Sequence, residues 1–433
     1  MTPAARLSAA MEVLADIDAR RRPAVEALKD WGFSHRFAGS GDRAAIAGIV
    51  YDTLRRKSSA AFLMKAETPR ARVLGMLRLE RGLEVDAIAA LCDGARFAPA
   101  PLDEAERSAL ADGTLDGAPA PVRGDYPEWL DAQFARVFDD ERAEEGAALA
   151  RRAPLDLRVN ALKADRDKAA AMLAHLQPAP TRWSPTGLRI ALSPDAKSPA
   201  VHAEPAFLKG LVEIQDEGSQ IAALLSRAKP GEQVVDLCAG GGGKTLALAA
   251  QMENRGQIYA TDSDKRRLEP IHERLERAGA RNVQVRTPAG LADPLTDLAG
   301  RADLVVIDAP CTGTGTWRRN PDAKWRMRPG AMAERTREQD AVLDRAVGLV
   351  KPGGRIAYIT CSVLAEENAD RVHTFLGRHA GFAIVPPAEM VDALGERAYL
   401  FRRAVRLLEE GLQMTPRTTD TDGFFVSVLA KSG

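Results

Sequence analysis

Apolar positions recur at three- and four-residue intervals through the first part of the chain. Leu7, Met11 and Leu14 form one stripe, and Ile46, Ile49, Val50 and Leu54 form another. That is the spacing of amphipathic helices. Asp42 stands where it can cap the second helix, and the helical period continues over residues 74–91. Residues 98–123 lose the period and fill with alanine, proline and acidic side chains, which reads as the end of a domain and a linker. A helix with Phe134 and Phe138 on its apolar face opens after Tyr126. Strand patterns at 155–160 and 187–190 then flank a helical one at 165–176, a small α+β unit. From about residue 205 short β-branched runs alternate with helical ones, the pattern of a doubly wound parallel sheet. Strands are expected at 233–237, 257–261, 282–286, 303–307, 355–360, 382–385 and 423–429. The last has no room for a crossover helix after it and is expected antiparallel at the far edge. The fold class is α/β, with a helical domain at 1–123, an α+β unit with its leading helix at 124–204, and the doubly wound domain at 205–433.

With 433 residues the chain is long enough for three such domains. Lys plus Arg and Asp plus Glu number 60 each, so any nucleic-acid site must be a local patch. The 4 cysteines are irregularly spaced and offer neither a disulfide framework nor a paired metal motif. A reducing cytoplasm fits them, and no metal is expected. The first residues lack the apolar core of a signal peptide, and no run of about 18 apolar residues occurs, so a soluble monomer with no membrane partner is expected.

The chemistry concentrates where strands end. Val234–Leu237 runs into Cys238, Ala239, Gly240, Gly241, Gly242, Gly243 and Lys244, with a helical run behind them. Strand, glycine loop and helix together let backbone approach a nucleotide-type ligand closely. A Walker loop is disfavoured because Cys238 occupies the place of its first glycine. Asp262 ends the second strand roughly 20 residues beyond the glycines, placed to accept hydrogen bonds from ribose hydroxyls. NAD and S-adenosylmethionine both carry such a ribose. Asp308, Pro310 and Cys311 follow the run Leu304–Ile307, and Cys361 follows Ile356–Thr360. Ligands of open α/β sheets bind at the carboxyl ends of the strands, so an aspartate and two thiols converge on one crevice. A hydride enzyme has no use for a thiol pair there. Methyl transfer to a poorly nucleophilic carbon does, by covalent catalysis, and Asp308 is placed to bond a pyrimidine at nitrogen 3. Which cysteine attacks stays open on these grounds.

Between Trp317 and Arg337, seven basic residues, Arg318, Arg319, Lys324 and Arg326 among them, face Asp322 and Glu334, with Trp317 and Trp325 interleaved. This is expected to be a phosphate-binding loop. Residues 31–39 interleave aromatic with basic side chains and either stack on RNA bases or form a loop with buried aromatics.

Pro310-Cys311 and Thr360-Cys361-Ser362 resemble the motifs of the RsmB/Sun family of RNA cytosine-5 methyltransferases. So do Gln215-Asp216-Glu217-Gly218-Ser219-Gln220, Asn320-Pro321-Asp322 and Thr421-Asp422-Gly423-Phe424-Phe425, in the family's order. The N-terminal helices resemble that family's NusB-like RNA-binding domain weakly. The resemblance implies a class I seven-stranded sheet and S-adenosylmethionine as cofactor, held by the glycine loop, Asp262 and Asp308. It implies 16S ribosomal RNA as partner, Cys361 as nucleophile and Cys311 as the thiol that assists release. One departure is that Val285-Arg286-Thr287-Pro288 carries no acid where many such enzymes have one near the adenine. Transfer RNA as substrate, a small-molecule methyltransferase and a non-catalytic assembly factor are the rival readings.

Overall fold

Thr2 and Thr68 each cap a helix whose first residue is proline, accepting the amide protons of Ala5 and Ala71. The helices Pro3–Arg20, Ser40–Arg55 and Pro69–Leu79 bury Leu7, Leu14, Ile46, Val50, Leu54 and Leu74 in one core, as the stripes predicted. The computed structural model describes residues 1–192, 199–288 and 293–433. It divides into two compact units. One comprises Met1–Arg152 and Trp317–Met327; the other comprises the described residues of Ala153–Leu192, Pro199–Thr316 and Arg328–Gly433.

Four expectations for the helical unit change. Gly39, not Asp42, is the N-cap of Ser40–Arg55; Asp42 instead accepts from Arg6 Nε at 2.9 Å and pairs with the N-terminal ammonium at 3.2 Å. The expected linker holds the helix Glu104–Asp112, opened by a reciprocal capping box of Asp103 and Glu106 and anchored by buried Leu110. A helix of two turns among alanines has too few apolar positions to show a period. Trp31 and Phe33 lie on the helix Ala24–Ser34, with Trp31 stacked on His35 at 4.3 Å. Finally, Asp131–Phe138 and Arg142–Ala150 pack with the helical unit, where Phe134 lies between Tyr126 and Trp317.

The second unit carries two sheets. The smaller joins β1 (Leu155–Val159), β2 (Ala179–Pro180), β3 (Gly187–Ile190) and β4 (Val212–Ile214) in the order β2-β3-β1-β4, all antiparallel. The three-residue β4 was not expected, and it carries this sheet past the boundary placed at residue 204.

The larger sheet contains all seven expected strands: β5 (Gln233–Asp236), β6 (Gln257–Ala260), β7 (Val283–Val285), β8 (Ala302–Asp308), β9 (Val350–Thr360), β10 (Phe382–Ile384) and, last in the chain, β13 (Phe424–Lys431). β11 (Arg406–Leu407) and β12 (Leu412–Met414) add a short hairpin. The order is β11-β12-β13-β9-β8-β5-β6-β7, with β10 also paired to β13. β5 to β9 run parallel and β13 antiparallel, as expected, but β13 is an interior strand rather than the far edge. Its residues from Phe424 to Leu429 are all buried, which suits a strand covered on every side. The hairpin beyond it is too short to leave a sequence signal.

Candidate active site

β5, β6, β8 and β9 end side by side, and their carboxyl ends deliver the glycine loop, Asp262, Asp308 and Cys361. Gly242 caps the helix Gly243–Gln251 at φ 84°, and a Cβ there would lie 2.5 Å from Ile271 Cγ1. Only glycine fits. Asp262 is buried; Oδ2 accepts from the Gly240 amide at 2.9 Å and Oδ1 from the Asp264 amide at 3.0 Å. Asp236 is fully buried and accepts from Thr245 Oγ1 at 2.7 Å, while its Oδ1 has no hydrogen-bond partner. Burial pushes this carboxyl up to about 7. Burial, then the charges of Asp236, Asp262 and Asp308, push the Cys238 thiol well above its ordinary value, so it is no nucleophile.

Lys244, expected in the cofactor loop, has a partner the sequence did not reveal, and Arg158 was not among the expected site residues. Lys244 is buried with its ammonium 2.7 Å from the Asp308 carboxylate and 5.2 Å over the Phe424 ring. Arg158, buried on β1, donates from Nη1 to the Gly243 carbonyl and to Gln215 Oε1, each at 2.9 Å. Its place in the run LDLRV was the one available signal, since a buried arginine must find acceptors.

The two thiols meet. Cys311 Sγ and Cys361 Sγ are 3.3 Å apart, both half-buried. The Cys361 hydrogen bond, burial, the Cys361 charge and then the Glu367 charge hold the Cys311 thiol well above its ordinary value. The loops that carry them are laced together: the Ala309 amide donates to the Ile359 carbonyl at 2.8 Å and the Gly315 amide to the Cys361 carbonyl at 2.9 Å. Thr314 Oγ1 lies 3.0 Å from Ser362 Oγ and accepts from the Val363 amide at 2.9 Å. Asn368 takes the Thr360 hydroxyl at 2.6 Å and donates to the Ser362 carbonyl at 3.0 Å. Such networks fix a site's geometry when every member is satisfied.

The basic segment behaves otherwise than expected. Trp317–Met327 belongs to the helical unit. Lys324 is 1% exposed, and its ammonium bonds the Arg55 carbonyl at 3.1 Å and the Asp125 carbonyl at 2.6 Å. Burial pulls it down to about 7. Arg318 is 2% exposed, and its carbonyl accepts from Arg55 Nη1 at 2.7 Å. Trp325 Nε1 donates to the Leu54 carbonyl, and Asp322 accepts the Ala24 amide at 3.1 Å. Lys324 by its side chain and Arg318 by its backbone carbonyl thus hold the helical core together, and both side chains are withdrawn from solvent. Their charge count hid this because Trp317 and Trp325 carry the segment inward. Arg319 is half-buried, and Arg326 is exposed beside Asp322 at 3.2 Å.

Residues 223–430 match the family model described as 16S rRNA methyltransferase RsmB/F, and residues 126–196 match the RsmF/B-like ferredoxin-like domain. The probable ribosomal RNA small subunit methyltransferase B of Synechocystis sp. is 32% identical over 314 residues, covering 71% of this chain and 67% of the relative. Its counterpart in Bacillus subtilis is 28% identical over 426 residues, covering 90% and 91%. The crystal structure of a methyltransferase homolog protein from Pyrococcus horikoshii is similar at a TM-score of 0.57 and 26% identity, over 72% of this chain and 97% of that one.

Proposed function

The chain belongs to the RsmB/F methyltransferase family, and on that premise we propose that it methylates carbon 5 of a cytosine in 16S ribosomal RNA, using S-adenosylmethionine and a covalent bond from Cys361. The observation that carries this reading is the thiol pair, 3.3 Å apart at the ends of β8 and β9.

Carbon 5 of cytosine is too weak a nucleophile to take a methyl group unaided. Addition of the Cys361 sulfur at carbon 6 forms a C–S bond and makes carbon 5 electron-rich. S-adenosylmethionine, when bound, supplies an electrophilic methyl group. Once carbon 5 is methylated, loss of its proton to a base returns the electron pair to the ring and breaks the C–S bond, freeing Cys361. Two sulfurs this close cannot both be anions. The Cys361 contact, burial and the charges beside it hold the proton on Cys311, which suits Cys311 to donate to the Cys361 sulfur 3.3 Å away. Cys311, beside the adduct, is then the group that assists release. Asp308, held by Lys244, accepts hydrogen bonds as a carboxylate does. It therefore suits the 4-amino group of cytosine better than nitrogen 3, which itself only accepts.

The glycine loop and Asp262 fit the cofactor. Gly240, at φ 49°, sets its amide on Asp262, and Asp236 Oδ1, buried without a hydrogen-bond partner, is an acceptor that suits a cationic ligand. The base must be flipped or single-stranded for a thiol and a methyl donor to reach its two faces.

Transfer from labelled S-adenosylmethionine to 16S ribosomal RNA, followed by nucleoside analysis, should yield 5-methylcytidine; a label in any other nucleoside would refute the chemistry. Cys311→Ala should leave a protein–RNA band that survives denaturing electrophoresis, and Cys361→Ala should leave none. The reverse pattern would assign attack to Cys311.

A further inference from the structure

Behind the thiol pair lies a carboxylate that the mechanism above does not use. Glu367 is fully buried, on the turn Ala365–Glu367 that follows the Cys361 loop. Its Oε1 accepts from the Thr312 amide at 2.8 Å and from Gln339 Nε2 at 3.1 Å, and its Oε2 accepts the Thr312 hydroxyl. Thr312 is the residue next to Cys311. Every recorded partner donates to it, which suits a carboxylate acceptor. Among the described residues no lysine, arginine or histidine pairs with it. Its recorded partners are neutral dipoles, and burial leaves the field of a charge there weakly screened.

We propose that Glu367 is a positioning residue that decides which thiol keeps the proton: by gripping Thr312 it seats Cys311 against Cys361, and by its charge it makes Cys311 the donor and leaves the anion to Cys361. This rests on the division of labour between the thiols proposed above. Without such a bias two neighbouring cysteines would share the proton, and a fraction of molecules would present the wrong nucleophile. The other titratable groups about the pair leave this role to Glu367. The Tyr358 hydroxyl donates to the Glu367 backbone carbonyl at 2.6 Å. Arg371 and Asp340, on flanking helices, pair with each other at 2.8 Å. Asp308 is engaged by Lys244 at 2.7 Å. The Glu367 charge is also among the influences that hold Cys311 protonated.

Glu367→Gln keeps the size and most of the hydrogen bonds and deletes the charge. Glu367→Asp keeps the charge and shortens the reach to Thr312. The full chain, without RNA or methyl donor, is treated with iodoacetamide across a pH series, and label at Cys311 and Cys361 is read separately by mass spectrometry. The wild-type chain should label at Cys361 first. Glu367→Gln should raise the Cys311 share about tenfold, as a shift of one pH unit would, and should lower the pH at which the pair begins to react. Glu367→Asp should keep the label on Cys361. A purely structural Glu367 predicts the opposite order, with Glu367→Gln like wild type and Glu367→Asp perturbed, and that result would overturn the proposal. So would wild-type labelling that begins at Cys311, a measurement that needs no variant. Failure to form 5-methylcytidine would refute the methyl-transfer reading and leave the labelling pattern standing.

Discussion

At the scale of single residues, burial decides roles that charge alone suggests differently. Lys324 looks like a phosphate ligand in sequence and is a structural hydrogen-bond donor in the fold. Neutral, it still has the protons to satisfy the Arg55 and Asp125 carbonyls. This has a pH signature. The unfolded chain holds the Lys324 proton up to about 10.5 and the folded chain only up to about 7, so between those values the unfolded chain binds the extra proton. Stability must then rise with pH across that window, by at most about 1.4 kcal/mol per pH unit, and be flat below it. Urea unfolding of the wild-type chain against Lys324→Met should show the difference widening in favour of wild type from pH 7.5 to 9. A difference that does not change with pH would mean that Lys324 stays charged in the folded protein.

At the scale of elements, the site depends on backbones brought into contact. Gly423, which opens into β13, donates its amide to the Gly315 carbonyl at 2.8 Å, and a Cβ on it would stand 2.7 Å from both Gly315 Cα and Val363 Cγ1. Gly315 in turn donates to the Cys361 carbonyl. Gly423→Ala should therefore cost about 1–3 kcal/mol of stability by overpacking and should also slow turnover, because the strain lands on the loop that carries Cys361. An unchanged urea midpoint together with unchanged turnover would show that the loop has room to give. The motifs Gln215–Gln220 and Thr421–Phe425 likewise acquire a physical reason. Asp216 accepts the amides of Gly218 and Asp422, and Glu217 accepts those of Trp183 and Ser184, which ties the small sheet to the start of β13.

At the scale of the whole molecule, a balanced total charge leaves RNA binding to local patches, and the structure removes two residues from the expected one. Arg318→Ala should leave the slope of RNA affinity against salt unchanged and should lower stability by about 1–3 kcal/mol, because truncating a side chain that is 2% exposed leaves its place unfilled. A slope reduced by about one phosphate contact would return Arg318 to the RNA. Trp317–Met327 thus serves the helical unit although it lies, in sequence, between the two thiols' loops.

The amino-acid sequence by itself determined the helical stripes, the seven principal strands, the glycine loop and the position of both cysteines just past buried runs. These are local properties: a period of two or 3.6, or an apolar run broken by small residues, is written within a few positions. What only the tertiary structure decided lies between distant positions. Cys311 and Cys361 stand 50 residues apart in the chain, and the β8–β9 register that pairs Asp308 with Ile359 brings their sulfurs to 3.3 Å. The same holds for Lys244 against Asp308, Glu367 against Thr312, the burial of Lys324 and the interior place of β13. Short strands and paired charges leave no period in the chain, and their partners are chosen by packing, where an unpaired buried polar group is too costly to keep.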